Sequence, residues 1–198
     1  DKHAGTFGKI SAFSAHPLKN LNAIGDSGFI ITDDENLYDQ IKLYRSHGMQ
    51  SRDNVKIFGI NSRLDSLNAE ILSFRLTKLK GVIAKRRHNI SLYKKYIKTD
   101  KVILPEDSTD TFDSYVMMIS LCEDRDKLQS YLESKNIQSL VYYGTPLHLH
   151  DASKILGYKR GDFINAEKLC KNVLSFPHNQ YLTEKEVFLY IRMYKSIL

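Results

Sequence analysis

The stretch SAHPLKNLNAIGDSGFIIT, residues 14–32, carries a lysine in a loop between two apolar segments. Lys19 lies five positions after Ser14 and two after Pro17. Lysine is ordinarily a solvated surface residue, so a lysine fixed in a proline-flanked loop between two strands needs a reason. The role of this lysine decides the interpretation of the whole chain.

The composition is that of an ordinary globular protein. The chain has 198 residues, 42% hydrophobic and 26% charged, which suits one large domain or two small ones. No apolar run approaches the roughly 20 residues that span a membrane, and the start DKHAGTFGK resembles neither a signal peptide nor a start methionine. We therefore expect a fragment or a processed product. Cys122 and Cys170 are isolated, without metal-ligand spacing, which predicts free thiols, no metal site and a cytoplasmic location.

The charge is basic, with a formal net charge of +6. Such a balance suits nucleic acid, an anionic membrane or a phosphorylated small molecule. The main basic run, residues 85–88, lies in a helical pattern and is typical of a solvated helix face. Zinc-finger spacing and the aromatic signatures of RNA-binding modules are absent from the sequence, so we expect no nucleic-acid partner. The lack of a long apolar run predicts no membrane partner either.

Hydrophobic periodicity predicts a mixed α/β chain. The predicted elements are strands at 9–16, 29–32 (buried), 115–121 and 137–143, helices at 35–47, 64–97, 125–135, 163–174 and from Thr183, and an irregular loop at 49–60. Asp33 or Asp34 would cap the first helix and Gly48 would close it, while Thr183 and Glu186 form a capping box. The long pattern after residue 64 predicts an inner face and a kink near Gly81. The residues of that inner face include Leu64, Leu67, Ile71, Leu72, Leu76 and Leu79.

The chemistry of a lysine amine suggests one specific role that Lys19 could have. A lysine amine forms a Schiff base with an aldehyde only when it is unprotonated, and burial and nearby cations favour that state. A serine hydroxyl can donate to a phosphate oxygen. Ser14 and Lys19 could therefore hold the phosphate and the aldehyde carbon of pyridoxal 5′-phosphate, although a surface lysine in a turn is the alternative that spacing alone favours.

The wider sequence resembles a known family. The string F-S-x-H-P-x-K-N-L, then G-D-x-G and an apolar strand ending in T-D-D, is similar to the DegT/DnrJ/EryC1/StrS family of sugar aminotransferases. The resemblance continues through further motifs in the expected order: Arg45, His47 and Gly48; Gly59, Asn61, Arg63 and Leu64; Pro146-Leu147-His148; and Leu174-Ser175-Phe176-Pro177. It thus covers essentially the whole chain.

The resemblance implies roles for three cofactor-binding residues. Lys19 matches the lysine that forms the Schiff base with pyridoxal phosphate and then moves the proton between substrate and cofactor. Ser14 matches the phosphate-binding serine. Asn61 matches an asparagine that reaches the cofactor of the neighbouring subunit, which implies a homodimer with a shared active site. Relatives that dehydrate the sugar carry histidine instead of this lysine, so Lys19 favours transamination.

Three further residues are implied to line the substrate site. Arg63 matches an arginine that attracts a carboxylate or phosphate by a forked contact, His16 lies near the cofactor, and His148 lies in a loop of the sugar-nucleotide pocket. Arg45 and His47 would fix helix and loop packing.

Each of these residues also has a structural alternative. Ser14 could end a strand, Asn61 could cap a helix, and Arg63 could pair with Asp65 or Glu70. His148 could be a solvated loop histidine and His16 a core or turn histidine.

The family implies a fold-type-I pyridoxal-phosphate-dependent transferase. In that fold, residues 1–80 would be the C-terminal portion of the large α/β domain and 81–198 the small C-terminal α/β domain. The acidic partner of the pyridine nitrogen normally lies upstream of the segment matching Gly5–Gly8, so we expect this chain to be weak or inactive alone. The implied reaction transfers an amino group from an amino acid, glutamate in the simplest case, to a nucleotide-linked keto-sugar in polysaccharide or glycan biosynthesis. A keto-inositol aminotransferase and a non-catalytic binding or dimerisation module are the alternatives.

Overall fold

The computed structural model describes residues 2–197, which belong to two compact units, one ending at Lys80 and the other beginning at Gly81. The first is called unit 1 and the second unit 2. Their assignment to part of a large domain and to a small domain stays a prediction. Over residues 2–197, every helix is too short or too polar to cross a membrane.

Unit 1 opens with an antiparallel hairpin. Its elements are β1 (Ile10–Ser14), β2 (Gly28–Thr32), α1 (Glu35–Tyr44), β3 (Met49–Ser51), β4 (Asn54–Val55) and α2 (Ser66–Leu76). Strands β1 and β2 pair so that Ser14 lies opposite Gly28, which confirms the two predicted strands. The predicted burial of residues 29–32 is wrong, since β2 pairs with β1 alone in the described chain and Phe29 to Ile31 stay exposed.

Helix α1 has the predicted beginning and a sharp end. The Asp34 carboxylate accepts from the backbone N–H groups of Asn36 and Leu37, which confirms the cap. Gly48 closes the turn in a left-handed conformation (φ +70°), and its N–H donates to the Leu43 carbonyl. The predicted irregular loop at 49–60 is wrong in part because strands β3 and β4 form a small hairpin there, too short to show periodicity in the sequence.

The long helical pattern is interrupted earlier than predicted. Helix α2 ends at Leu76, and α3 begins at Leu79. The Thr77 hydroxyl donates to the Phe74 carbonyl at 2.8 Å, a side-chain bond that competes with continuation of the helix. The kink expected near Gly81 is therefore wrong, since Gly81 lies within the first turn of α3.

Helix α2 also turns a different face inward. Its half-buried side chains recur three and four apart and include Asn68, Ile71, Leu72 and Arg75. Leu67 and Leu76, expected on the inner face, are exposed. The inner stripe thus carries a polar residue at each end.

Unit 2 is built on a three-stranded antiparallel sheet. Its elements are α3 (Leu79–Tyr96, mostly in this unit), β5 (Val102–Ile103), β6 (Met118–Cys122), α4 (Arg125–Ser134), α5 (Ile164–Asn172), β7 (Val173–Phe176) and α6 (Glu184–Lys195), with 3₁₀ turns at Leu147–Leu149 and Asp151–Leu156. The strand order is β5-β6-β7. Tyr93, Met118, Leu132, Leu174 and Tyr194 lie at the centre of one continuous core.

Three boundaries in unit 2 differ from prediction. Residues 137–143 form only an isolated bridge, between Leu140 and Ser175, rather than a strand. The helix predicted to reach residue 174 ends at Asn172, because the buried run from Val173 pairs with β6. Strand β6 begins at Met118 rather than at Tyr115, which has a positive φ of 48° that a strand does not accept. Helix α4 and the capping box of α6 are confirmed.

Candidate active site

Two backbone hydrogen bonds through Ala15 close the loop that carries Lys19. Ala15 is the first residue after β1 and is fully buried. Its N–H donates to the Ser27 carbonyl and its carbonyl accepts from the N–H of Ala23, both at 2.8 Å. Residues 15–23 are called the lysine loop, and its first and last residues are thus hydrogen-bonded to each other.

Lys19 lies on a turn inside the lysine loop. Its N–H donates to the His16 carbonyl at 2.9 Å, and the Asn22 side-chain amide donates to the Pro17 carbonyl at 2.6 Å across the loop. The Lys19 side chain is half-buried, and no hydrogen bond or ion pair within residues 2–197 engages its amine. The loop therefore fixes the backbone of Lys19 while leaving its amine without a protein partner in this part of the chain.

Helix α2 is hydrogen-bonded to the C-terminal end of the lysine loop. One Arg75 guanidinium nitrogen donates to the Asn22 carbonyl at 2.8 Å and to the Ala23 carbonyl at 3.2 Å. Two turns earlier on the same helix face, Asn68 Oδ1 accepts from the Ile24 N–H at 3.4 Å. Because residues seven apart share a helix face, these two side chains bind the consecutive residues 22–24, at the end of the lysine loop and just after it.

His16 and Ser14 are joined at the start of the loop. The Ser14 Oγ accepts from the His16 N–H at 3.3 Å, and His16 Nδ1 accepts from the Leu18 N–H at 3.2 Å. The other ring nitrogen, Nε2, lies 3.8 Å from a carboxylate oxygen of Asp26. Ser14 is the last residue of β1, and His16 lies in the turn that follows. Neither contact removes Ser14's hydroxyl hydrogen as a donor.

Asn61 and Arg63 lie together on a tightly closed segment. Arg63 Nε donates to Asn61 Oδ1 at 3.4 Å, and Asn61 forms a β-bridge with Ser46. The segment passes so close to the end of α1 that a Cβ atom on Gly59 would lie 2.4 Å from the Gly48 nitrogen and 2.4 Å from the Tyr44 carbonyl oxygen. Only glycine fits there, and this contact sets the path that leads to Asn61.

The alternatives for Asn61 and Arg63 do not hold. The cap of α2 is Asp65, whose carboxylate accepts from the N–H groups of Leu67 and Asn68, so Asn61 caps no helix. Within the described chain, Arg63 pairs with neither Asp65 nor Glu70.

His148 lies in unit 2 and is not solvated. Its side chain is 7% exposed, Nε2 lies 3.1 Å from Glu167, and its ring packs on Phe163 with centroids 4.8 Å apart. The Gly161 N–H, at 2.6 Å, and secondarily His148 lower the pKa of the Glu167 carboxyl below its usual range. His148 thus ties the first 3₁₀ turn to α5 and to the segment that directly precedes that helix.

The structure brings the predicted residues of unit 1 together in two groups, Ser14 with His16 and Lys19, and Asn61 with Arg63. Sequence reasoning did not find Arg75, Asn68 and Glu167. The signal for the first two was present, since two polar residues seven apart in an otherwise apolar helical stripe must find partners if the stripe turns inward. Glu167 is invisible in the sequence because its partners lie six and nineteen residues away.

The donor chemistry in unit 1 fits pyridoxal 5′-phosphate. Ser14, Asn61 and Arg63 supply a hydroxyl, an amide nitrogen and a guanidinium, each of which can donate to a phosphate. Lys19 supplies the amine that an aldehyde requires.

Comparison with known proteins agrees with this chemistry. The model of the DegT/DnrJ/EryC1/StrS aminotransferase family matches residues 1–191. The chain is 34% identical to a protein named pleiotropic regulatory protein from Geobacillus stearothermophilus, covering 93% of this chain and 52% of the relative. It is 30% identical to the dTDP-3-amino-3,4,6-trideoxy-α-D-glucose transaminase of Streptomyces venezuelae, covering 91% and 48%.

A solved structure agrees at the level of the fold. The crystal structure of a DegT DnrJ EryC1 StrS aminotransferase from Brucella abortus superimposes with a TM-score of 0.90 at 31% identity, over 98% of this chain and 52% of that one. The chain spans about half the length of the curated relatives it matches. With its α/β architecture and its family match over nearly every residue, the chain belongs to the DegT/DnrJ/EryC1/StrS aminotransferase family.

Proposed function

We propose that the protein containing this chain is a pyridoxal-phosphate-dependent aminotransferase that transfers an amino group from an amino acid to a nucleotide-linked keto-sugar. The observation that carries the proposal is the geometry of Lys19, whose backbone is fixed by the lysine loop beside Ser14 in a chain of this family. The name of the Streptomyces venezuelae relative, a dTDP-sugar transaminase, supports the substrate class.

Each residue of the site has one task in this proposal. Lys19 holds the cofactor aldehyde and carries a proton at Nζ, while Ser14 donates to the cofactor phosphate. The bound pyridoxal ring supplies an electron sink for the reacting carbon. Arg63 attracts an anionic group of the substrate or donor, and His16 lines the substrate site.

The assembly and location are part of the proposal. Asn61 would reach the cofactor of a second copy, which makes the protein a homodimer with shared active sites. A cytoplasmic location is supported by the two cysteines, which are free, one of them buried. The amino sugars produced would enter polysaccharide or glycan biosynthesis, with glutamate as the amino donor.

Labelling tests the role of Lys19 directly. The protein is mixed with pyridoxal phosphate, reduced with borohydride and mapped by mass spectrometry, and we expect the cofactor on the peptide containing Lys19. Lys19→Arg keeps the positive charge but should remove the label, whereas Lys9→Arg, at a lysine outside the loop, should retain it. Cofactor attached chiefly at another lysine would contradict the assignment.

A panel of keto-sugar nucleotides tests the reaction. The protein with its complete cofactor site should aminate at least one member of the panel, and Lys19→Arg should lower the rate by several orders of magnitude because covalent attachment and proton transfer are both lost.

A non-catalytic binding role is the second candidate function. It is supported by the name of the Geobacillus stearothermophilus relative, which describes a regulatory protein. Binding of a sugar nucleotide without turnover across the whole panel would favour it.

A further inference from the structure

The lysine loop is held from outside by one guanidinium group. Arg75 approaches from α2 and donates from a single nitrogen to two consecutive carbonyls, those of Asn22 and Ala23. Ala23 is 1% exposed, so water does not readily replace the arginine at its carbonyl. The hydrogen bonds from Arg75 therefore attach this half of the lysine loop to α2.

The contact reaches Lys19 through Asn22. The Asn22 carbonyl accepts from Arg75, while its side-chain amide donates to the Pro17 carbonyl at 2.6 Å. Pro17 is the second residue of the turn that the Lys19 N–H closes on His16. Helix α2, Asn22 and the turn of Lys19 thus form a continuous series of hydrogen bonds.

Arginine suits this position better than any other side chain. The guanidinium is planar and permanently charged, and it donates several hydrogen bonds in a fixed geometry. A charged donor also bonds more strongly to carbonyl oxygens than a neutral one. Arg75 is half-buried, which limits the freedom of its charged head to leave the loop.

We propose that Arg75 is a positioning residue for Lys19, acting through Asn22 to fix the backbone from which the Lys19 amine projects. The proposal rests on the proposed function, in which Lys19 holds the cofactor aldehyde. Arg75 itself touches neither the amine nor any reacting group. Its effect is to keep Lys19 at one distance from Ser14, so that one molecule can engage both.

The first experiment compares two reagents on the whole chain. Pyridoxal phosphate and pyridoxal, each followed by borohydride, differ in the phosphate and in the fraction of free aldehyde, because the 5′-hydroxyl of pyridoxal closes a hemiacetal. Their labelling ratio at Lys19, divided by the same ratio at the exposed Lys9, therefore reports whether amine and phosphate site are held in register. The wild-type chain should prefer the phosphorylated reagent. In Arg75→Met, which keeps the apolar stem, we expect this preference to fall by at least about tenfold, the factor that accompanies loss of a hydrogen bond from a charged donor.

Matched variants separate positioning from general destabilisation. Arg75→Lys restores a cationic donor and should recover part of the preference. Asn22→Ala should reproduce the loss, since it breaks the same series of bonds at the next residue. Arg192→Met removes an exposed arginine from α6 and should leave the ratio unchanged. An unchanged ratio in Arg75→Met would overturn the proposal, as would an equal loss in Arg192→Met.

A second readout does not depend on the cofactor. Amide hydrogen exchange of Lys19 and Ala23 reports the two backbone bonds inside the loop. Both amides should exchange at least about tenfold faster in Arg75→Met, while the β1–β2 amides remain protected. If Lys19 shows no preference for the phosphorylated reagent in the protein that contains this chain, the proposed function fails. Unchanged exchange at both amides would then refute the positioning role separately.

Discussion

His178 is a buried side chain in unit 2 that makes the stability of the folded chain depend on pH. Its Nε2 donates to the Tyr115 carbonyl at 2.9 Å, while its buried Nδ1 has no hydrogen-bond partner within the described chain. Burial lowers the pKa of His178 to about 4, and nearby Arg86 acts in the same direction, against the Tyr115 carbonyl and Asp113. The histidine is therefore neutral at physiological pH.

This pKa predicts a loss of stability in mild acid. Between pH 6.5 and about 4 the unfolded chain binds a proton at His178 that the folded chain does not, so the free energy of unfolding falls as the pH decreases. The loss is on the order of 2–3 kcal/mol, is complete near the folded pKa, and is absent above the unfolded value. Urea unfolding across this range measures it.

The matched variant for this prediction is His178→Gln. Glutamine keeps a donor for the Tyr115 carbonyl but does not titrate, so the stability of the variant should depend less on pH in this window. His3→Gln, at an exposed histidine, should leave the slope as in the wild type. A full slope in His178→Gln would assign the effect to other groups.

Among the elements, those with a local chemical signal were predictable. Asp34 and the Thr183–Glu186 capping box identify two helix starts because capping depends on residues three positions apart or fewer. Strand β7 was missed because its apolar run follows α5 without a glycine or proline, and only pairing with β6 distinguishes it from another helical turn. The break at Thr77 depends on one side-chain hydrogen bond that spacing cannot reveal.

In the candidate site, too, residues in short motifs were predictable and long-range contacts were not. Lys19, Ser14 and Asn61 belong to short motifs and could be named from the sequence. The contacts that hold them span long separations: Arg75 lies 53 residues from Asn22. The spacing of Asn68 and Arg75 in an apolar stripe indicates that both side chains need partners, but it does not say which residues those partners are, so the bond from Arg75 to Asn22 could not be predicted.

Alanine substitution at two glycines, Gly59 and Gly81, is expected to change stability in opposite directions. A side chain at Gly59 would collide with backbone atoms of Gly48 and Tyr44, so Gly59→Ala should destabilise unit 1 by roughly 2 kcal/mol or more. Gly81 lies in α3 with no atom within 4 Å of an added Cβ, so Gly81→Ala should stabilise the helix by about 1 kcal/mol. Urea unfolding of both variants gives the comparison, and destabilisation by Gly81→Ala would contradict the open environment of that site.

At the scale of the whole molecule, the two units differ in how much apolar surface they bury. The core of Tyr93, Met118 and Tyr194 lies wholly in unit 2. In the described part of unit 1 the buried hydrophobic residues are Ala15 and Ala23, whereas the Phe58 side chain is fully exposed. Burial of apolar surface is the main favourable term in folding, so stability should be distributed unequally between the units.

Separate expression tests this asymmetry. Residues 77–198, which begin at the break before α3, should unfold cooperatively on heating because they contain a complete core. Residues 1–76 should show little cooperative unfolding alone. Circular dichroism and tyrosine absorbance follow both fragments, and a cooperative transition in 1–76 alone would contradict the prediction.

The hydrogen bonds that Arg75 donates to Asn22 and Ala23, and the one that Asn68 accepts from Ile24, join α2 to the end of the lysine loop, so opening of either breaks contacts with the other. Any molecule that binds the closed loop then raises the free energy of opening the helix by mass action, by about 2.7 kcal/mol when its concentration is a hundred times its Kd. A fluorescent group on the exposed Phe74 position of α2 would therefore act as a sensor of ligand occupancy. Its fluorescence would report ligand binding at Lys19 even when no reaction occurs there.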